Sequence, residues 1–184
     1  MTFEIREIRP QDDAFIAAII RQVLTEFGAN RPGFAWADPE LDHLSQAYQG
    51  DRSTYYIVTH DEQVIGGGGV APFFCEYEHV CELQKMYLLP LSRGKGLGKT
   101  LMQQLLKTAA DYGYRGCYLE TFDAMTSAIR LYQKFGFEPL KTPLGNSGHN
   151  SCNQFLVRWF DQPDKTSIQG HLNDRDTSQK ASPQ

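Results

Sequence analysis

The segment MYLLPLSRGKGLGK, Met86 to Lys99, runs from an apolar strand through a glycine-rich turn into a helix. Pro90 closes the strand. Gly94, Gly96 and Gly98 let successive backbone N–H groups converge with no side chain in the way. The start of the helix adds N–H groups without intrahelical acceptors and a partial positive charge. Arg93, Lys95 and Lys99 add full charges. Together these features suit a phosphate or pyrophosphate. The spacing matches neither the G-x-x-x-x-G-K-[ST] loop nor the G-x-G-x-x-G dinucleotide fingerprint.

On the C-terminal side of the turn, Leu97, Leu101, Leu105 and Ala109 step by four, so Gly96 to Tyr112 reads as an amphipathic helix. Gly116 leads into a strand, Cys117 to Thr121. Met125, Ala128, Ile129 and Tyr132 mark another helix, closed near Gly136. Phe137–Leu140 and Phe155–Phe160 read as two last strands. On the N-terminal side, Cys81 to Leu89 is a strand. Strict alternation puts Glu82, Gln84, Met86 and Leu88 on one face, and Cys81, Leu83, Lys85, Tyr87 and Leu89 on the other.

Earlier still, Val64 opens a strand through four glycines, Gly66 to Gly69. Either another backbone or ligand comes close there, or packing at a bulge is crowded. Tyr55–Thr59 is a strand, and so is the run holding Phe3, Ile5 and Ile8, with a shift expected near Glu7. Asp12 or Asp13 caps a helix whose apolar face carries Phe15, Ile16, Ile19, Ile20, Val23, Leu24 and Phe27. Asp38-Pro39 caps a short helix with Leu41, Leu44 and Tyr48. The order of elements predicts one α/β domain with a mixed sheet, over residues 1–160. Residues 161–184 hold only Ile168 and Leu172 as large aliphatics and no aromatics, and are expected to be a disordered tail.

The chain has 184 residues, 41% of them hydrophobic, which fits one core. No run approaches the ~18 apolar residues needed to cross a bilayer. The start, MTFEIREIRP, lacks the apolar segment of a signal peptide. Cys75, Cys81, Cys117 and Cys152 form no C-x-x-C pair. They read as reduced thiols in a cytoplasmic protein, without a metal site. A net charge of −4 and the lack of a basic run argue against nucleic acid.

Arg93, Gly96 and Gly98 match, in register, the Gln/Arg-x-x-Gly-x-Gly/Ala motif of the GNAT-fold (GCN5-related) N-acetyltransferases, which the chain resembles. ELQKMYLLP, before the turn, resembles the family's fourth strand. SAIRLYQKFGF, Ser127 to Phe137, resembles a later helix and the strand after it. The resemblance covers roughly residues 3 to 160. It implies a GNAT-like sheet that splays at its centre, flanked by helices, and acetyl-CoA as acyl donor with no metal. It also implies that the backbone of Gly94, Lys95, Gly96, Leu97, Gly98 and Lys99 holds the pyrophosphate. Met86, Tyr87 and Leu88 would pair with the pantetheine arm, and one of their N–H groups would lie near the thioester carbonyl.

The implied reaction is direct acetyl transfer to a primary amine, in the first place that of a small molecule. Its alternatives are a peptide or protein amine, and a module that binds acyl-CoA without catalysis. Glu82 lies where the family commonly has a catalytic glutamate and would take the amine's proton; otherwise it is a solvent-facing residue. Tyr132 lies where the family often has a tyrosine that donates to the coenzyme A sulfur; otherwise it is an aromatic core residue. Met125 stands where an asparagine is common, so one pantetheine contact is absent or replaced by Thr126 or Ser127. The amine's walls are expected from Phe27–Trp36, Phe73–Glu76 and the loop Pro143–Cys152, which contains His149. Glu76 and Glu78 could serve a cationic substrate or be a solvated acidic hairpin. A route through a Cys152 nucleophile would have only His149 as its base. Dimers are common in the family, so a homodimer is compatible.

Overall fold

The computed structural model describes residues 2–160; the tail expected over 161–184 lies outside them. Among the described residues seven strands form one sheet: β1 (Phe3–Glu7), β2 (Thr54–His60), β3 (Gln63–Pro72), β4 (Val80–Leu88), β5 (Gly116–Thr121), β6 (Glu138–Leu140) and β7 (Gln154–Trp159). Their order is β1-β2-β3-β4-β5-β7-β6. Every neighbouring pair is antiparallel except β4 and β5. The helices are α1 (Asp13–Glu26), α2 (Leu44–Ala47), α3 (Leu97–Asp111) and α4 (Thr126–Lys134).

Each long helix buries the stripe its periodicity predicts. Ile16, Ile20 and Leu24 of α1 pack with Tyr55 and Ile57 on one face of the sheet. Leu101, Met102 and Leu105 of α3 pack with Val58, Cys81, Cys117 and Leu119 on the other. Burying one such aliphatic side chain contributes about 1.5–3 kcal/mol. The aspartates at the start of α1 do not cap it. Asp12 accepts from Arg6 at 2.7 and 2.9 Å. Asp13 accepts from the backbone and hydroxyl of Ser45 at 2.7 and 2.6 Å, tying α1 to α2. The expected short helix is a 3-10 turn, Pro39–His43, followed by α2.

Two irregularities position everything that follows. The first is the fork. β4 and β5 are in register only at Val80↔Gly116, Cys81↔Cys117 and Glu82↔Tyr118. Beyond Glu82 the strands part, while β5 stays paired with β7 as far as Thr121. The sheet is therefore splayed at its centre.

The second is a β-bulge in β4. Gly67 pairs with Tyr87 and Gly69 with Gln84, so Lys85 and Met86 together oppose Gly68. Lys85 takes the left-handed conformation, φ 49°, which costs about 1–3 kcal/mol for a non-glycine residue. The Tyr55 hydroxyl holds it by donating to the Lys85 carbonyl at 2.8 Å.

The bulge overturns strict alternation along β4. Glu82, Gln84 and Lys85 turn to the α1 side, where Gln84 accepts from the Tyr48 hydroxyl and Lys85 meets Asp38. Tyr87 packs on the α1-side core, while Met86 and Leu88 pack on the α3-side core with Cys81 and Leu83. The shift expected near Glu7 is absent, since β1 is in continuous register with β2. The irregularities of this half lie between Val58 and Thr59 and at the glycine run.

The glycine run is crowded by protein. A Cβ on Gly69 would lie 2.6 Å from Tyr48 and 2.7 Å from Tyr55, and one on Gly66 would lie 2.4 Å from the Tyr87 carbonyl. The glycines let two tyrosine rings and the bulged strand approach the backbone of β3.

Candidate active site

The turn after β4 is an open cradle of donors. Ser92 and Arg93 N–H close the 3-10 turn onto Leu89 and Pro90 carbonyls, and Thr100 N–H reaches the Gly96 carbonyl. Between them, among the described residues, no amide from Gly94 to Lys99 has a hydrogen-bond acceptor. Gly94 and Gly96 have φ of 74° and 78°, and a Cβ at either would meet nothing within 4 Å. Lys95 and Lys99 are exposed, and Leu97 anchors the helix in the α3-side core. Six consecutive unpaired N–H groups at a helix start fit a pyrophosphate.

Arg93 is placed differently from its neighbours. Its guanidinium donates to both carboxylate oxygens of Glu26 at 2.6 and 2.8 Å. Its Nε donates to the Leu88 carbonyl at 3.1 Å, and it lies over the Phe27 ring. Its charge is matched by α1, so the residue braces the cradle. One Leu88 carbonyl is thereby spent, leaving the amides of the Met86–Leu88 edge that faces the fork.

The fork opens into a cleft lined by Glu82 to Tyr87 of β4, Leu119 to Phe122 of β5 and its continuation, and Met125 and Tyr132 of the α4 region. Phe34, Ala35, His149 and Cys152 close it from the α1 side. Phe73–Glu76 and Glu78 do not line it. Phe73 instead stacks on Tyr118, and Phe74 is exposed.

Glu82 stands at the fork itself, 5% exposed. Burial pushes its carboxyl up to about 7; Gln84, which donates to it at 2.6 Å, and the charges of His149 and Lys85 only partly offset this. Glu120 adds to the upward push. Tyr132 reaches the cleft from α4, with its ring 6.0 Å from that of Phe137. Burial raises its phenol well above the ordinary value, so it stays protonated. Among the described residues its hydroxyl has no hydrogen-bond partner.

Cys152 is unsuited to nucleophilic work. Burial and the charges of Glu120, Glu82 and Asp38 push its thiol up to about 12. His149, its candidate base, is engaged elsewhere: its Nε2 lies 3.1 and 3.0 Å from the two carboxylate oxygens of Asp38. All four cysteines are free, and no group of three or more His, Cys, Asp or Glu among the described residues could hold a metal.

Two residues of the site escaped the sequence reading. Asp38 was expected only as a helix cap. Its side chain instead binds Lys85 Nζ at 2.7 Å and His149. Lys85 was expected on the opposite face of β4. Its side chain is 4% exposed and also meets Glu40 at 2.9 Å. The signal that could find Lys85 is the glycine run on β3, because a bulge there shifts the faces of the partner strand by one residue.

Residues 19–137 match the Acetyltransferase (GNAT) family. The chain is 42% identical over 155 residues to the uncharacterized N-acetyltransferase YjgM of Escherichia coli, covering 84% of this chain and 93% of that one. It is 32% identical over 129 residues to an uncharacterized N-acetyltransferase of Schizosaccharomyces pombe, covering 70% and 78%. A GNAT-family acetyltransferase structure from Staphylococcus aureus superposes with a TM-score of 0.77 at 19% identity, over 87% of this chain and all of that one. The structure of YncA from Salmonella typhimurium, described with its cofactor acetyl-CoA, superposes with a TM-score of 0.70 at 19% identity, over 89% and 96%. The chain belongs to the GNAT acetyltransferase family, and is an acetyl-CoA-dependent enzyme of that class.

Proposed function

We propose that the protein moves an acetyl group directly from acetyl-CoA to the primary amine of a small molecule. The observation that carries this reading is Glu82: a buried carboxyl pushed up to about 7, at the fork of the sheet, facing a cleft. A base with a pKa near the working pH is the most effective one. Glu82 takes the proton that the amine sheds as its nitrogen attacks the thioester carbonyl. An amide of Met86–Leu88, on the edge left open by the splay, stabilises the charge that develops on the carbonyl oxygen. The amides from Gly94 to Lys99 hold the pyrophosphate and so fix the thioester against β4.

Tyr132 donates a hydrogen bond to the departing sulfur. An ordinary thiol titrates near 8.5, below this buried phenol. Full proton transfer from the phenol would therefore be uphill, and hydrogen-bond donation is the role that fits. The high Cys152 thiol supports direct transfer over an acetyl-cysteine route. Four free thiols suit a reducing compartment, and we place the protein in the cytoplasm.

The test is thiol release from acetyl-CoA across a panel of amines, amino acids, polyamines and short peptides, with product mass by chromatography. Amine-dependent release with an N-acetylated small molecule supports the reading. Tight acetyl-CoA binding with no release for any amine would leave a binding module. Preference for peptides over small amines would move the acceptor to a polypeptide.

A further inference from the structure

The cleft is lined by two acids and two cations. Glu82 and Glu120 stand on the sheet, on the two arms of the fork, and Glu120 accepts from the Tyr118 hydroxyl at 2.7 Å. Lys85 stands on β4 and His149 on the loop before β7. Lys85 is there only because the bulge turns it to the same face as Glu82. In a regular strand, residues three apart face opposite ways.

Both groups are pushed towards their charged forms. Burial disfavours the charge on His149, but the hydrogen bond and the charge of Asp38 together outweigh that, and the imidazole is raised above its ordinary value. Burial likewise disfavours the charge on Lys85, and Asp38 and Glu40 outweigh it. The two cations share one partly buried carboxylate, that of Asp38, whose side chain is 16% exposed. The Glu40 side chain is 40% exposed, where water screens it. An ammonium has three N–H donors, and Asp38 and Glu40 take two of those of Lys85. His149 spends Nε2 on Asp38, and among the described residues its Nδ1 has no partner.

We propose that the acceptor is an amino carboxylate, its amine placed at Glu82 and Glu120 and its carboxylate received by Lys85 and His149. This rests on the transferase reading above and narrows it. Three residues of strand span at most about 10 Å, so the two ends of the site serve one small molecule and not the distant termini of a peptide. Phe34, Phe122 and Cys152 give the remaining wall an apolar character that takes a side chain. Asp38 is a positioning residue: it touches no substrate and orients both cations.

The experiment measures kcat/KM with acetyl-CoA for the twenty standard amino acids, the carboxamide of each and the decarboxylated amine of each. The carboxamides have the less basic amines, so more of each is neutral at pH 7, and simple nucleophile supply favours them. The expected result is the reverse: at least one amino acid is preferred over its carboxamide and its decarboxylated amine by about 10- to 100-fold, the worth of a charged hydrogen bond or two. The preference lies in KM. In His149→Gln, on a loop outside the core, the ratio of acid to carboxamide falls by about tenfold or more. Equal or better use of the carboxamides by the wild type overturns the proposal and leaves the transferase reading standing. An unchanged ratio in His149→Gln also overturns it. No thiol release with any amine overturns both.

Discussion

Replacing Glu82 by glutamine keeps the shape and the bond from Gln84, and removes both the base and a buried charge. The carboxyl moves from an ordinary 4.5 to about 7, chiefly through burial. At 1.36 kcal/mol per decade, ionising it in the folded protein is about 3 kcal/mol harder than in the unfolded chain. Between pH 4.5 and 7 the folded state holds the proton that the unfolded state has lost. Wild-type stability therefore falls as pH rises through that window, and the full loss is present above about pH 7. Glu82→Gln escapes it. Its melting temperature gains on the wild type by roughly 5–10 °C at pH 8 and by nothing below pH 4.5.

Activity moves the other way. In the wild type kcat/KM for the acceptor gains a limb that rises with pH as Glu82 ionises, half-maximal near pH 7 and about a tenth of its full height at pH 6. Glu82→Gln loses about 10²- to 10⁴-fold in kcat, and that limb disappears. The assay is thiol release at saturating acetyl-CoA from pH 5.5 to 9, with two acceptors of different basicity. A limb that belongs to the acceptor shifts with the acceptor, and one that belongs to Glu82 does not. A variant with kcat within about threefold of wild type, or with the same limb, would refute the base assignment. A melting difference independent of pH would refute the burial argument.

Tyr132→Phe removes only the hydroxyl from a ring that packs by Phe137. It should lower kcat by about 10- to 100-fold and leave the KM for acetyl-CoA and the melting temperature nearly unchanged; stopped-flow thiol release and a thermal melt check this. Gly69→Ala forces a methyl to within 2.6 Å of Tyr48 and 2.7 Å of Tyr55. Chemical denaturation should show a loss of about 1–3 kcal/mol, and because those rings hold Gln84 and Lys85, activity should fall as well. Wild-type stability in that variant would mean that the tyrosines move aside freely.

How far the sequence carries this protein differs by element. The amphipathic stripes of α1 and α3 were legible because burial of an apolar face is a local pattern with a 3.6-residue period. The cradle from Gly94 to Lys99 was legible because its donors are consecutive backbone groups, and chain order alone brings them together. Glu82 and Tyr132 were reachable through the family resemblance, but not the burial that pushes Glu82 up to about 7. That burial comes from segments far away in the chain.

Tertiary structure alone decided the faces of β4. One left-handed residue, Lys85, inverts the alternation that every strand pattern assumes, and it is held by Tyr55 from β2 and by Asp38 from the segment before α2. It alone also paired Arg93 with Glu26, and joined His149 to Asp38 across 111 residues. Local periodicity and backbone chemistry are written in neighbouring residues. Electrostatic partners and strand register depend on which distant segments the fold brings within a few ångströms of one another.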